Sequence, residues 1–221
     1  MQAIPLPEQF IHLLASVVLL LSFAMLAQRR IRTLIHLFAL QGAALVCSTL
    51  IVAWSSGQHH LYYSAALTLV LKVIVLPLIL YRLIDRLELR WDTETGLRIP
   101  TTMLAGVVLV VFAFGLAQPI SSLAGSVTQS TLGIAIAVVM LAFLMMITRR
   151  KAVTQVIGFL AMENGLFFAA TSATYGMPLV VELGVALDVL VGVFVLGIFI
   201  FQIRETFDSL DLKHMEKLKE K

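Results

Sequence analysis

The chain has 221 residues, of which 60% are hydrophobic and 13% charged, with a formal net charge of +3 and a mean hydropathy of +0.98. A soluble domain carries about 25% charged residues, so this composition excludes an ordinary soluble core and indicates an all-α protein that crosses a membrane many times. The small basic surplus is no nucleic-acid signal, because the basic residues sit at helix ends, and the single cysteine, Cys47, excludes an internal disulfide and a thiolate cluster.

A helix needs about 20 apolar residues to cross roughly 30 Å of hydrocarbon. Seven stretches qualify: Phe10–Ala27, Thr33–Trp54, Leu61–Leu83, Thr101–Gln118, Thr131–Ile147, Val153–Thr174 and Met177–Gln202. The first has only Glu8 as a charge before Arg29 and reads as a retained helix, not a cleaved signal. Pro77 lies inside the third and is expected to kink it. Pro100 and Pro178 fall near helix starts, where proline is tolerated.

The basic residues alternate by loop. Arg29, Arg30 and Arg32 follow helix one. Arg82, Arg86, Arg90 and Arg98 lie between helices three and four, and Arg149, Arg150 and Lys151 between five and six. Arg204, Lys213, Lys217, Lys219 and Lys221 follow helix seven. The remaining one of the sixteen, Lys72, is inside a helix. This asymmetry predicts an N-terminus outside and a C-terminus in the cytoplasm. The Arg82–Arg98 loop spaces Ile84, Leu87 and Trp91 helically, and the tail does so with Phe207, Leu210, His214 and Leu218. Both read either as interfacial amphipathic helices, as solvated connectors, or as docking points for a cytoplasmic partner.

The chain carries signs of one unit used twice. Ile35-His36-Leu37-Phe38-Ala39-Leu40-Gln41-Gly42 resembles Ile157-Gly158-Phe159-Leu160-Ala161-Met162-Glu163-Asn164, and each follows an arginine pair. Gln41 then matches Glu163, and Lys72 matches Asp188. Helix four, as a spacer, keeps the two units in the same orientation. The alternative is chance likeness between apolar runs. The expected division is 1–100 for helices one to three and the cytoplasmic loop, 101–130 for the spacer, 131–203 for the second three-helix unit and 204–221 for the tail.

Charges near mid-bilayer are costly, about 2.5–3.5 kcal/mol each on insertion scales, and mark functional sites. Glu163 lies mid-helix six. Burial disfavours the charged form of a carboxylic acid, a property that proton carriers use; the alternative is a neutral Glu hydrogen-bonded between helices. Asp188 has Gly184 and Gly192 one turn either side, and small residues let another helix approach, so it is expected to face protein. Lys72 reads as a relay member or as the counter-charge for Glu163 or Asp188. Glu182 sits near a helix end and alone would read as snorkelling to the interface. Gln41 reads first as an interhelical hydrogen-bonding residue and His36 as a packing histidine, with a relay role second for each. His59 and His60 are adjacent and do not share a helix face. No nucleotide loop, metalloprotease helix or serine–histidine–acid set is present, so the chain is not expected to be catalytic on its own.

Helices five to seven resemble the small three-helix K subunit of complex I, with an arginine pair ahead of a buried Glu and Asp188-Val189-Leu190-Val191-Gly192 at the second carboxylate. Glu163 lies about one turn further from the arginines than that subunit's first Glu, on the same face. Lys72-Val73 with Pro77, Leu160-Ala161-Met162-Glu163-Asn164-Gly165, and Glu182-Leu183-Gly184 ahead of Asp188 together resemble the hydrogenase-4 component E family. That resemblance spans about residues 60 to 203. It implies a subunit of a formate-hydrogenlyase-type complex and raises Glu182 to a plausible site, beside the proton-relay candidates Glu163, Asp188 and Lys72 and the possible ones His36 and Gln41 that the buried polar positions give. It also implies antiporter-like membrane subunits, an H-type anchor, and a peripheral arm whose partner subunits hold nickel–iron and iron–sulfur centres, with no cofactor in this chain. The alternatives are a subunit of a multisubunit cation/proton antiporter and a structural spacer.

Overall fold

The computed structural model describes residues 6–86, 98–121 and 126–173. Helix seven, Glu182, Asp188, the tail and most of the Arg82–Arg98 loop lie outside the described residues. Within them the fold is helical: α1 (Leu6–Ala27), α2 (Ile31–Ser56), α3 (His60–Thr68), the π-helical segment π1 (Leu69–Val75), α4 (Leu76–Arg86), α5 (Ile99–Ser121), α6 (Ser126–Thr148) and α7 (Ala152–Ala173). The segments α3, π1 and α4 form one continuous span, so among the described residues there are six helices long and apolar enough to cross a membrane. Each matches a predicted stretch to within a few residues.

The third span departs from expectation in kind. In place of a simple proline kink it holds seven residues of π-helix ahead of Pro77. The Leu76 N–H donates to the Leu71 carbonyl, five residues back. Pro77 has no N–H to give and its ring would crowd the carbonyl four residues back, so a wider turn there relieves both problems. The buried positions explain the rest. Thr68, Lys72, Leu76, Leu80 and Ile84 are all buried and recur every fourth residue. On a helix of 3.6 residues per turn, a period of four drifts by about 40° per step. A π turn takes up that drift and keeps the row on one face.

The packing is pairwise. α1 lies on α2 and α6; α2 also lies on α7 and along α3, π1 and α4; α6 packs on α7, and α5 covers α6 and part of α1. A methyl at Gly165 would sit 2.9 Å from Val138 Cγ1 and 3.2 Å from the Val139 nitrogen, so α6 and α7 approach as only glycine permits. At the arginine-rich end, the buried Arg149 guanidinium donates to the carbonyls of Met25, Leu26 and Gln28. These carbonyls lie in the last turn of α1 and just beyond it, where a helix leaves acceptors short of donors, and a cation at that end is favoured by the helix dipole. At the opposite end His12 and Ser130 join α1 to α6 at 3.1 Å.

Gly165→Ala drives its methyl into the side chains of Val138 and Val139, with the Val139 backbone close behind, and should destabilise the protein by about 1–3 kcal/mol. Gly115→Ala meets nothing within 4 Å and should cost nothing. Thermal melts of the two variants in detergent should therefore separate by several degrees, with Gly165→Ala lower.

Candidate functional site: a buried ion pair in a polar layer

The core consists of two apolar clusters. One gathers Met25, Ile31, Phe38, Leu80, Met145 and Leu160 at the arginine-rich end. The other gathers Ile11, Leu45, Val52, Leu61, Ile134 and Phe168 towards the α2–α3 turn. Between them, on every contributing helix but α6, a polar residue interrupts the sequence of apolar ones: Ser22 on α1, Gln41 on α2, Lys72 on π1, and Glu163 and Asn164 on α7. All five are buried.

The charged members meet. Lys72 Nζ lies 3.8 Å from Glu163 Oε1, with the side chains 0% and 2% exposed. That separation is an ion pair but longer than the 2.7–3.2 Å of a hydrogen bond. The Phe167 ring, one turn along α7 from Glu163, stands under the ammonium with its centroid 5.4 Å away, and adds cation–π attraction. Gly42 makes room on the other side: a methyl there would meet Lys72 Cβ and Val73 Cγ2 at 3.4 Å.

The neutral members form a hydrogen-bonded chain. Asn164 Nδ2 donates to Gln41 Oε1 at 3.1 Å, Gln41 Nε2 donates to Ser22 Oγ at 2.9 Å, and Ser22 donates to the Val18 carbonyl at 2.9 Å. The chain links α7, α2 and α1 at the depth of the ion pair. It fixes Asn164, the neighbour of Glu163, and thereby the rotation of α7 about its axis.

Of the sequence-predicted site residues, Lys72, Glu163 and Gln41 come together in this layer. His36 does not join them. It is exposed near the arginine-rich end, where Nδ1 donates to the Arg32 carbonyl at 3.0 Å and the ring tilts against Tyr81. Asp188 and Glu182 lie outside the described residues. Sequence reasoning passed over Ser22 and, as a site residue, Asn164. Both were visible as polar residues more than a turn inside apolar helices, at the depth of Gln41 and Glu163.

The exterior completes the picture. Val111 and Ile147 are 69% and 80% exposed, whereas Lys72 and Glu163 are sealed inside. Apolar side chains outside and ions within is the arrangement expected of a helical bundle in lipid. The chain is thus a multi-pass α-helical membrane protein built around a buried charge pair. It is 34% identical over 194 residues to Uncharacterized protein Rv0085 of Mycobacterium tuberculosis, covering 87% of this chain and 88% of that one. It is 24% identical over 214 residues to Hydrogenase-4 component E of Escherichia coli and of Shigella flexneri, covering 96% of this chain and 98% of theirs. No family model and no solved structure matches it. The chain belongs to the hydrogenase-4 component E family.

Removing one member of a buried pair is costly, typically about 3–5 kcal/mol, whereas replacing both can be neutral. Lys72→Met should therefore destabilise the protein at neutral pH, and the double variant Lys72→Met/Glu163→Gln should recover most of the loss. Chemical or thermal unfolding of the wild type, both single variants and the double variant supplies the cycle that checks this.

Proposed function

We propose that the chain is a membrane subunit of a respiratory-type hydrogenase complex, and that the Lys72–Glu163 pair is a loading point in a proton relay across it. The observation that carries this reading is the pair itself: two oppositely charged side chains sealed at mid-depth and 3.8 Å apart. A lysine carries its ammonium on a long flexible stem with rotatable donors. About 1 Å of rotamer movement would bring Nζ within hydrogen-bonding range of the carboxylate, and a proton passing between them would neutralise both at once. Withdrawal by the same distance leaves each group to exchange with the next carrier. In this reading Asp188 and Glu182 continue the relay on helix seven, as in a unit like the K subunit of complex I.

The seven-helix topology, with the N-terminus outside and the C-terminus in the cytoplasm, belongs to the same reading, since the positive charges gather at one end. So does the tandem repeat. It is supported by the packing of α1 on α6 and α2 on α7, which pairs each helix with its counterpart in the other unit. The membrane partners of the proposal are antiporter-like subunits and an H-type anchor, and the redox centres lie in peripheral partner subunits.

Proton uptake by inverted membrane vesicles, driven by the redox reaction of the complex, tests the relay. Glu163→Gln and Asp188→Asn should each lower proton uptake at least about tenfold per assembled complex, in line with loss of a positioned proton-transfer group. Full pumping in both variants overturns the relay. Loss of assembly in every variant, with normal pumping by the fraction that assembles, assigns the pair a structural role. Redox-independent, sodium-driven transport assigns the chain to an antiporter.

A further inference from the structure

Most buried hydroxyls in this bundle bond to the carbonyl one turn back, the usual partner for a hydroxyl on a helix. Ser22, Thr49 and Thr171 all do so. Ser48, Ser64 and Thr68 do not. They are 0%, 4% and 0% exposed, and their hydroxyl oxygens have no hydrogen-bond partner among the described residues. Gln58 Oε1, at the α2–α3 turn, is in the same state. Buried polar groups are satisfied by protein or by ordered water, and sites that are polar and roomy hold water rather than stay dry.

Their placement is ordered. His60, Ser64, Thr68 and Lys72 follow one another at intervals of four residues, from the turn to the ion pair. Each interval is about 6 Å along the axis, a distance that a pair of bridging waters with hydrogen bonds of roughly 2.8 Å can span. Beyond Lys72 the row becomes Leu76, Leu80 and Ile84, all buried in the apolar cluster of the arginine-rich end. A polar row therefore leads to Lys72 from one end and stops there.

We propose that a file of water molecules enters at the α2–α3 turn beside Gln58 and His60, is held by Ser64 and Thr68 with Ser48 of α2, and ends at Lys72. It rests on the relay reading for its purpose: it gives the ion pair aqueous access from one side only. Protons hop along hydrogen-bonded water, so the file is the class of ligand that such a site takes.

The test uses the full chain in its native membranes with Cys47, which is exposed, replaced by serine. Ser64→Cys, Thr68→Cys and Ser48→Cys are compared with Val70→Cys and Ile74→Cys, whose positions face outward from π1. Silver ion, narrow enough to follow a single file of waters, is added, and thiols that escape it are alkylated after denaturation and read by mass spectrometry of this chain. Thiols react as thiolates, which need water, so the three inner positions should react at least about tenfold faster than the two outer ones. Equal or slower reaction at the inner positions overturns the proposal. Where Thr68→Cys fails to accumulate, Ser64→Cys and Ser48→Cys give the same comparison. Silver access does not depend on proton transport. Fast reaction beside normal pumping in Glu163→Gln keeps the water file and removes the relay, and slow reaction beside lost pumping does the reverse.

Discussion

The attraction between Lys72 and Glu163 is the constraint on which the rest of the bundle turns. Each charge alone would be expelled from the interior, and together they roughly offset the cost of desolvation without adding much stability. The pair therefore acts as a demand for geometry. π1 must lie against α7 at one depth and one rotation, and α2 must come close enough to close the site. Gly42 stands at that approach, where an added methyl would already be in van der Waals contact with Lys72 and Val73. Gly165 meets the corresponding demand on the far face of α7, where Val138 and Val139 of α6 back it.

The π segment belongs to the same constraint. A regular helix through Thr68, Lys72, Leu76, Leu80 and Ile84 would carry the ends of that row to different faces. The lysine or the leucines would then point outward. With Pro77 unable to donate and the turn widened before it, the row remains single. A π turn costs hydrogen-bond quality and is found mostly at functional sites. Here the cost is borne where the helix must present an ammonium to a carboxylate.

Much of this was legible in the sequence, because hydropathy and the period of apolar residues are local signals. The six described spans follow from them, and so do the odd polar residues Gln41, Lys72 and Glu163. That Lys72 would meet Glu163 was not legible, since pairing depends on how helices are arranged. The π segment left a trace, the four-residue recurrence from Thr68 to Ile84, but Pro77 alone suggested only a kink. Arg149 is the clearest miss. A basic residue at a helix end was read as an orientation signal, and its side chain turns inward to the carbonyls of α1. The sequence hint was that α1 ends in Gln28-Arg29-Arg30 with no glycine to cap it.

The polar layer contains two kinds of contact with opposite consequences for proton movement. The chain from Asn164 through Gln41 and Ser22 to the Val18 carbonyl has hydrogen bonds of 2.9–3.1 Å throughout. Two of its donors are side-chain amides, which do not give up protons at neutral pH, and it holds three helices in register. The ion pair beside it is made of groups that do exchange protons, and its 3.8 Å separation leaves it outside hydrogen-bond range. A relay needs both properties in one place: a frame that does not move and a titratable contact that can close and open within it. Were the frame loose, Lys72 and Glu163 would find other partners or water, and the direction of transfer would be lost. In the proposed relay Asn164 belongs to the frame, and Glu163, one residue earlier on the same helix, is the group that would carry the charge.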